Sequence, residues 1–443
     1  MTHSAMLGQP SANQVHSIIQ RHLIGDGFPI VFDYERSHGS WIVDGETGGE
    51  FLDFYSFFAS LPLGFNHPSL STPENRERLT AAAAHKPSNS DAHSVELASF
   101  VQSFVKHAAP PGFENLFFIE GGALAVENAL KAAFDWKVQK NLAAGRPPTG
   151  AQILHFEQAF HGRSGYTLSL TNTLPIKTAH FPQFQWPRIA PPVLHFPITA
   201  AESERVIKSE SSAVEAIEKA FCKHPFDIAA IIIEPIQGEG GDNHFRPEFF
   251  QKLRCIANEQ EACLIFDEVQ TGFGLTGRFW AHEHFGVMPD IICFGKKSQV
   301  CGIVAGPRLD EVPENVFNVS SRINSTWGGG LVDMVRCQII METMAVEGLV
   351  ENAATVGEAL LTALEQLATD FPSQVSNVRG RGLFCAFDCA DDRARKKLLD
   401  DAFKNHVLLL PCGPRSVRMR PALTITRDEA LEGVERIRHS LTA

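Results

Sequence analysis

Two short apolar runs, each ending in an ionisable residue, constrain this chain more than any other feature. Cys263-Leu264-Ile265-Phe266 runs into Asp267, and Ile291-Ile292-Cys293-Phe294 runs through Gly295 into Lys296 and Lys297. Apolar runs of this length, bounded by polar or Gly positions, are the pattern of strands buried on both faces of a parallel sheet. In an open α/β sheet the carboxyl ends of the strands open onto a crevice where ligands bind, so Asp267 and Lys296 are placed to face one molecule from two sides. Taken alone, the pair reads more simply as a helix-capping aspartate and a solvated lysine, and other motifs have to decide.

The chain around these runs alternates strand and helix patterns. Asn115 to Glu120 reads as a strand, Gly121-Gly122 as a tight turn, and the stretch from Gly122 onward as a helix. Ile153 to Glu157 and Ile228 to Ile233 read as further strands, with a polar helix over Ala201 to Cys222 and another over Pro247 to Glu261. Such alternation gives a doubly wound, mainly parallel sheet. Before it, the sequence predicts a helix over Asn13 to Leu23, strands at Ile30 to Glu35, Ser40 to Asp44 and Phe51 to Phe54, and a helix from Asp91 to Lys106 capped by Ser90 or Asp91. The aromatic stretch Phe54 to Pro68 is broken by Pro and Gly and reads as a loop, and the proline-rich stretch Phe181 to Pro197 as an irregular excursion. After Gly330 the spacing of Met334, Ile339, Ile340, Thr343, Met344 and Leu349 predicts one long helix, followed by strands near Gly382 to Asp388, Val407 to Pro411 and Ser416 to Arg420. Thr426-Arg-Asp-Glu429 has the form of a capping box opening a last helix.

A length of 443 residues exceeds what one hydrophobic core usually supports, so two domains or one large domain with appended segments are expected. The formal charge of -12, with no block of Lys or Arg to offset it, argues against nucleic acid as a partner. The nine cysteines are scattered and mostly lie in apolar runs, as reduced core residues do; Cys385 and Cys389 lack partners at metal-site spacing, so no metal is expected. The hexapeptide Met1 to Met6 has neither the basic nor the apolar region of a leader, and no apolar run nears the roughly 18 residues of a membrane span, which makes the cytoplasm the default location.

Four motifs occur in one order: Glu234-Pro-Ile-Gln-Gly-Glu239, Asp267-Glu-Val-Gln270, Phe294-Gly-Lys296 and Ser325-Thr326-Trp-Gly-Gly. This series resembles the class III aminotransferases, pyridoxal-phosphate enzymes of fold type I, and within them those that act on the terminal amine of L-lysine. The likeness runs from about Phe51 to the end of the chain. It implies a small-domain segment over residues 1–60, a large cofactor-binding domain over 61–330 and an α+β small domain over 331–443, the small domain drawing on both chain ends.

The resemblance also implies roles. Pyridoxal 5'-phosphate has an aldehyde for the amine of Lys296, which forms a Schiff base with it, and a ring nitrogen that Asp267 keeps protonated. Gln270 reaches the ring hydroxyl oxygen, Phe160 covers one ring face, and the N–H groups of Gly122 and Ala123 hold the phosphate at a helix N-terminus. Gly121 stands where the family usually has a hydroxyl residue, which puts the weight on those backbone groups. Lys297 is the rival to Lys296, but reads as a charge near phosphate or solvent. Thr326 reaches the phosphate of a neighbouring subunit, so a homodimer or larger homo-oligomer follows. Arg163 holds a carboxylate at the far end of the substrate, Arg418 holds the α-carboxylate of 2-oxoglutarate, and Glu239 pairs with Arg418 while the amine end of lysine is at the ring. Arg420 reads as a structural charge. The implied reaction turns L-lysine and 2-oxoglutarate into 2-aminoadipate 6-semialdehyde and L-glutamate. Ornithine or 4-aminobutyrate as donor, a racemase on the same fold, and a cofactor-binding protein without activity stay open at this point, although intact Asp267, Gln270, Lys296, Thr326 and Arg418 speak against the last. Gly330 replaces an Asn that relatives usually carry after Trp-Gly-Gly, near the expected pocket entrance.

Overall fold

The computed structural model describes residues 9–25 and 27–442. The hexapeptide Met1 to Met6 lies outside them. The N-terminal segment contributes strands β1 (Trp41–Val43) and β2 (Glu50–Asp53). The large sheet follows with β3 (Asn115–Ile119), β4 (Gln152–Phe156), β5 (Arg188–Ile189), β6 (Ile228–Ile233), β7 (Cys263–Asp267), β8 (Ile291–Phe294) and β9 (Cys301–Ala305), in the order β3-β9-β8-β7-β6-β4-β5. Neighbours from β8 through β5 are parallel, whereas β9 runs antiparallel to both β8 and β3. The last strands are β10 (Ser376–Arg381), β11 (Phe384–Asp388), β12 (Val407–Leu408), β13 (Leu410–Cys412) and β14 (Ser416–Met419). Four of these form an antiparallel sheet β10-β11-β14-β13, while β12 joins the first two strands in a sheet β1-β2-β12.

Side-chain alternation in β7 shows how the large sheet is covered. Cys263 and Ile265 pack under the helix Gly122–Ala143, with Val126, Ala129 and Trp136, whereas Leu264 and Phe266 pack on the opposite face against Phe249, Phe250 and Leu253 of the helix Pro247–Glu259. Every residue of β6, β7 and β8 is buried. With a period of two, Asp267 emerges on the same side as Cys263 and Ile265, toward the first turn of the Gly122 helix.

Several local expectations are corrected. Ile30 to Glu35 forms only a single bridge, Phe32 to Asp44, because the Asp33 carboxylate accepts from the N–H groups of Glu35 and Arg36 and turns the chain. The helix expected from Asp91 begins at Val95, capped by Ser94, whose hydroxyl accepts from Leu97 N at 3.1 Å; Asp91 instead closes a turn with Ser88. The long helix after Gly330 is two helices, Leu331–Val346 and Leu349–Asp370, separated by Gly348 in the left-handed region. Phe54 to Pro68 contains a turn, Ser56–Ala59, whose four residues all have positive φ. The capping box at Thr426 and Glu429 forms, with Thr426 N donating to Glu429 Oε2 at 2.9 Å and Glu429 N to Thr426 Oγ1 at 3.2 Å.

Candidate active site

A cavity of about 1660 Å³ opens at the carboxyl ends of β7 and β8, large enough for a cofactor and a substrate together. Lys296, Asp267, Gly122, Ala123, Phe160, Gln270, Arg163, Glu239 and Arg418 all line it. Thr326 does not: it is exposed and lies outside the cavity of its own chain. Gly330 is also off the cavity, buried as the N-cap of the helix Leu331–Val346, where a Cβ would stand 2.8 Å from Asp333 Oδ2.

The floor is built on Asp267. Its Oδ2 lies 2.7 Å from Nδ1 of the buried His161, and its Oδ1 accepts from Val269 N at 3.1 Å. Burial alone would push the His161 pKa down, but the hydrogen bond and charge of Asp267, with the charge of Glu234, carry it above its ordinary value. Glu234, at the end of β6, accepts from Phe160 N at 2.9 Å and Gly238 N at 3.1 Å, so one carboxyl ties down both the Phe160 loop and the loop leading to Glu239. Burial, reinforced by Asp267 and opposed by His161, lifts Glu234 to about 7. Sequence reasoning gave neither His161 nor Glu234 a role.

A second wall is the start of the 22-residue helix Gly122–Ala143. Gly121 takes φ +99, and a Cβ on Gly122 would stand 3.0 Å from Val269 Cγ1. Gly121 therefore permits the positive-φ turn, and Gly122 lets the helix N-terminus approach Val269, two residues past Asp267.

Lys296 opens a 3-10 turn, Lys296–Ser298, with φ +55, a left-handed conformation that a non-glycine residue adopts at a cost. Burial first, and the charge of Arg418 second, bring its ammonium down to about 8. Its Nζ lies 5.6 Å from the ring centroid of Phe58, a residue of the positive-φ turn. That turn is held by Asp53, which accepts from Tyr55 N and Ser56 N, both at 2.8 Å. Lys297 departs from the expectation of a charge near phosphate or solvent: it is 1% exposed, and its Nζ donates to the carbonyl of Gln270 at 2.7 Å. The 3-10 turn at Lys296–Ser298 sends the two lysines apart.

On the remaining wall, Gln270 Oε1 accepts from Arg420 Nε at 3.1 Å, Arg420 Nη2 at 3.0 Å and Arg418 Nη1 at 3.4 Å. Arg420 is wholly buried, pairs with Asp242 at 2.5 Å and lies 3.3 Å from the Phe384 ring centroid, as a structural charge would. Arg418, on β14, is 4% exposed, its Nε has no hydrogen-bond partner, and no carboxylate pairs with it among the described residues. The expected pairing of Glu239 with Arg418 is not the one present. Glu239 pairs instead with Lys177, which sits on the 3-10 turn Pro175–Lys177 and carried no role in the sequence reading. Arg163 is exposed, with its guanidinium 5.9 Å from the Phe160 ring centroid.

Known proteins resemble this chain over most of its length. The family model described as aminotransferase class-III matches residues 25–441. The chain is 49% identical over 440 residues to the L-lysine-epsilon aminotransferase of Mycobacterium tuberculosis strain H37Rv, covering 99% of this chain and 97% of that protein. It is 35% identical over 420 residues to human mitochondrial 4-aminobutyrate aminotransferase, covering 89% and 81%. A solved structure of lysine aminotransferase from M. tuberculosis in the internal aldimine form superposes with a TM-score of 0.96 at 49% identity, covering 98% of this chain and 99% of that one. Enzymes of this class use pyridoxal 5'-phosphate. With the family model spanning nearly the whole chain and the strand-end aspartate and lysine lining one cavity, the chain belongs to the class III aminotransferases.

Proposed function

We propose that the chain transfers the ε-amino group of L-lysine to 2-oxoglutarate, giving 2-aminoadipate 6-semialdehyde and L-glutamate. The observation that carries this reading is the 49% identity to L-lysine-epsilon aminotransferases over 99% of the chain. The wall of Arg163, Glu239 and Arg418 supports it, since one pocket has to accept first an amine and then a second carboxylate at the same end of the substrate.

The residues present fit the cofactor. Buried Arg418 Nε and His161 Nε2 lack partners, Lys296 stands in the cavity with its ammonium pKa at about 8, and Gly121 and Gly122 leave the helix N-terminus uncovered by side chains. When bound, pyridoxal phosphate supplies the electron sink for the reaction. Asp267, held by His161, places a negative charge against the ring nitrogen, and Gln270, its oxygen already taken by two arginines, offers its amide N–H to the ring hydroxyl oxygen. Phe160 covers a ring face, and the N–H groups of Gly122 and Ala123 bind phosphate. Lys296 Nζ would hold the proton removed from the ε-carbon of lysine, since a pKa near 8 leaves a useful fraction of neutral amine at physiological pH. Arg163 binds the α-carboxylate of lysine and the distal carboxylate of 2-oxoglutarate, and Arg418 binds the α-carboxylate of the oxo acid.

The same proposal includes a large cofactor domain over 61–330 and a small domain from 1–60 and 331–443; the sheet joining β1 and β2 to β12 supports joining the chain ends. It includes a homodimer in which Thr326 reaches the neighbour's phosphate, supported by the exposure of Thr326, Trp327 and Phe58. It places the enzyme in the cytoplasm; among the described residues no helix is long and apolar enough to cross a membrane.

The test is the absorbance spectrum of the cofactor-loaded protein with L-lysine, ornithine or 4-aminobutyrate and no oxo acid. Loss of the cofactor band with lysine, and its return with 2-oxoglutarate, is the expected result. A response to another amine alone would change the donor and keep the chemistry.

A further inference from the structure

Lys177 is the one feature of the substrate wall that the two-arginine scheme leaves without a task. Its side chain is 11% exposed and pairs with Glu239, whose side chain is 21% exposed, so the contact is inside the cavity and not on the outer surface. Nζ also lies 3.4 Å from Thr173 Oγ1, which in turn lies 3.4 Å from Glu239 Oε1, and 5.3 Å from the Phe160 ring centroid. Thr173, Lys177 and Glu239 thus form a closed polar set beside the ring cover. Across from them, Arg418 is buried without a carboxylate, an arrangement that costs energy unless a ligand anion completes it.

We propose that Lys177 is a positioning residue that holds Glu239 in its second resting place, so that Arg418 is open to the carboxylate of the oxo acid. Glu239 cannot neutralise Arg418 and leave it free for substrate at once. When a dicarboxylate enters, the displaced Glu239 carboxylate needs a cation inside the cavity, or it stays buried and unpaired. Lys177 provides that cation within reach of the same side chain. Burial first, and then the charges of Arg163 and Arg418, press the Lys177 ammonium pKa down to about 8. Three cations and one carboxylate then share the wall, and the carboxylate chooses between Lys177 and Arg418 according to the substrate.

This inference rests on the reading of the chain as an aminotransferase that alternates an amine donor with a dicarboxylate acceptor. Its test uses the cofactor-loaded protein and glutarate, a five-carbon dicarboxylate with no oxo or amino group to react, titrated by calorimetry. Lys177→Met should weaken glutarate binding about tenfold, within the range of ordinary coupling between sites, because Glu239 then settles on Arg418. Lys177→Arg should bind as the wild type does. The double variant Lys177→Met, Glu239→Gln should return to near the wild-type affinity, since no carboxylate is left to mask Arg418. In single-turnover absorbance, Lys177→Met should consume L-lysine at least as fast as the wild type. Unchanged glutarate affinity in Lys177→Met overturns the proposal. So does a double variant as weak as the single one, which would give Lys177 a direct or merely structural role. No glutarate binding to the wild type would overturn it too, because Arg418 would not be open. A wild type inert to lysine would remove the donor reading, while the glutarate cycle still judges Lys177.

Discussion

The floor and the substrate wall of the cavity are built on opposite plans. On the floor, Asp267, His161 and Glu234 are buried and tied by short hydrogen bonds to one another's loops or to backbone N–H groups, and all issue from or lie against the large sheet. On the wall, Lys177 and Glu239 are partly exposed, Arg163 is exposed, and Arg418 lacks a carboxylate. A cofactor that stays put is served by preorganised dipoles and charges that do not rearrange. Two substrates that take turns need charges with more than one acceptable partner. The difference is therefore between a fixed network and an exchangeable one, and perturbing the first should damage chemistry while perturbing the second should shift selectivity.

The largest effect is expected on the floor side, from Lys296→Ala, with a fall in turnover of at least about 10⁴-fold, as general-base and nucleophilic roles are lost together, and with the cofactor absorbance band displaced. Lys297→Met should keep that band, since Lys297 only donates to the Gln270 carbonyl; loss of the band would exchange the two lysines' roles. Next comes Asp267→Asn, which removes a fixed charge and leaves His161 without its anion. A drop in kcat of roughly 10²- to 10³-fold is expected, read in steady-state kinetics, and a drop below tenfold would move the ring-nitrogen role elsewhere. A pH series sharpens the contrast further. Lys296 titrates at about 8, below its ordinary 10.5, so its neutral fraction rises toward pH 8 and is nearly complete above pH 9. The rate at which the cofactor-free protein captures pyridoxal phosphate, followed by absorbance, should fall about tenfold per pH unit below that midpoint and level off above it; a rate that keeps rising about tenfold per unit toward about pH 10 would deny the depressed pKa. The smallest effect links the two regions. A Cβ on Gly238 would stand 2.3 Å from Gln270 Oε1, so Gly238→Ala should cost about 1–3 kcal/mol of stability in denaturant unfolding and loosen Gln270 from both arginines.

The floor was legible in part. Asp267 and Lys296 could be read because they terminate apolar runs, and a parallel sheet puts strand ends at a crevice. His161 could not be read as the partner of Asp267, because 106 residues separate them and no local pattern records a hydrogen bond across that distance. Glu234 sat in a motif already noted, yet its task of holding two loops appears only when both backbones are in place. Lys177 carried no signal beyond one charge in an irregular stretch. Among the strands, β9 was missed although Cys301 to Ala305 is apolar, since an antiparallel return directly after the Lys296 turn breaks the strand–helix alternation that guided the reading. Edge strand β10, Ser376 to Arg381, is too polar to read as buried sheet at all.

The parallel pairing of β12 with β2 has a consequence for the order in which the molecule is assembled. Val407 lies opposite Leu52, and Leu52 N donates to His406 O at 3.0 Å, so a strand made early waits for one made more than 350 residues later. Contacts of such separation close late. During synthesis, the sheet carrying Asp267 and Lys296 can emerge complete while Arg418 is still inside the ribosome. The cofactor's binding surface can thus exist before the pocket can tell one amine from another, and a chain stopped short of β14 is expected to retain affinity for the cofactor while lacking discrimination among substrates.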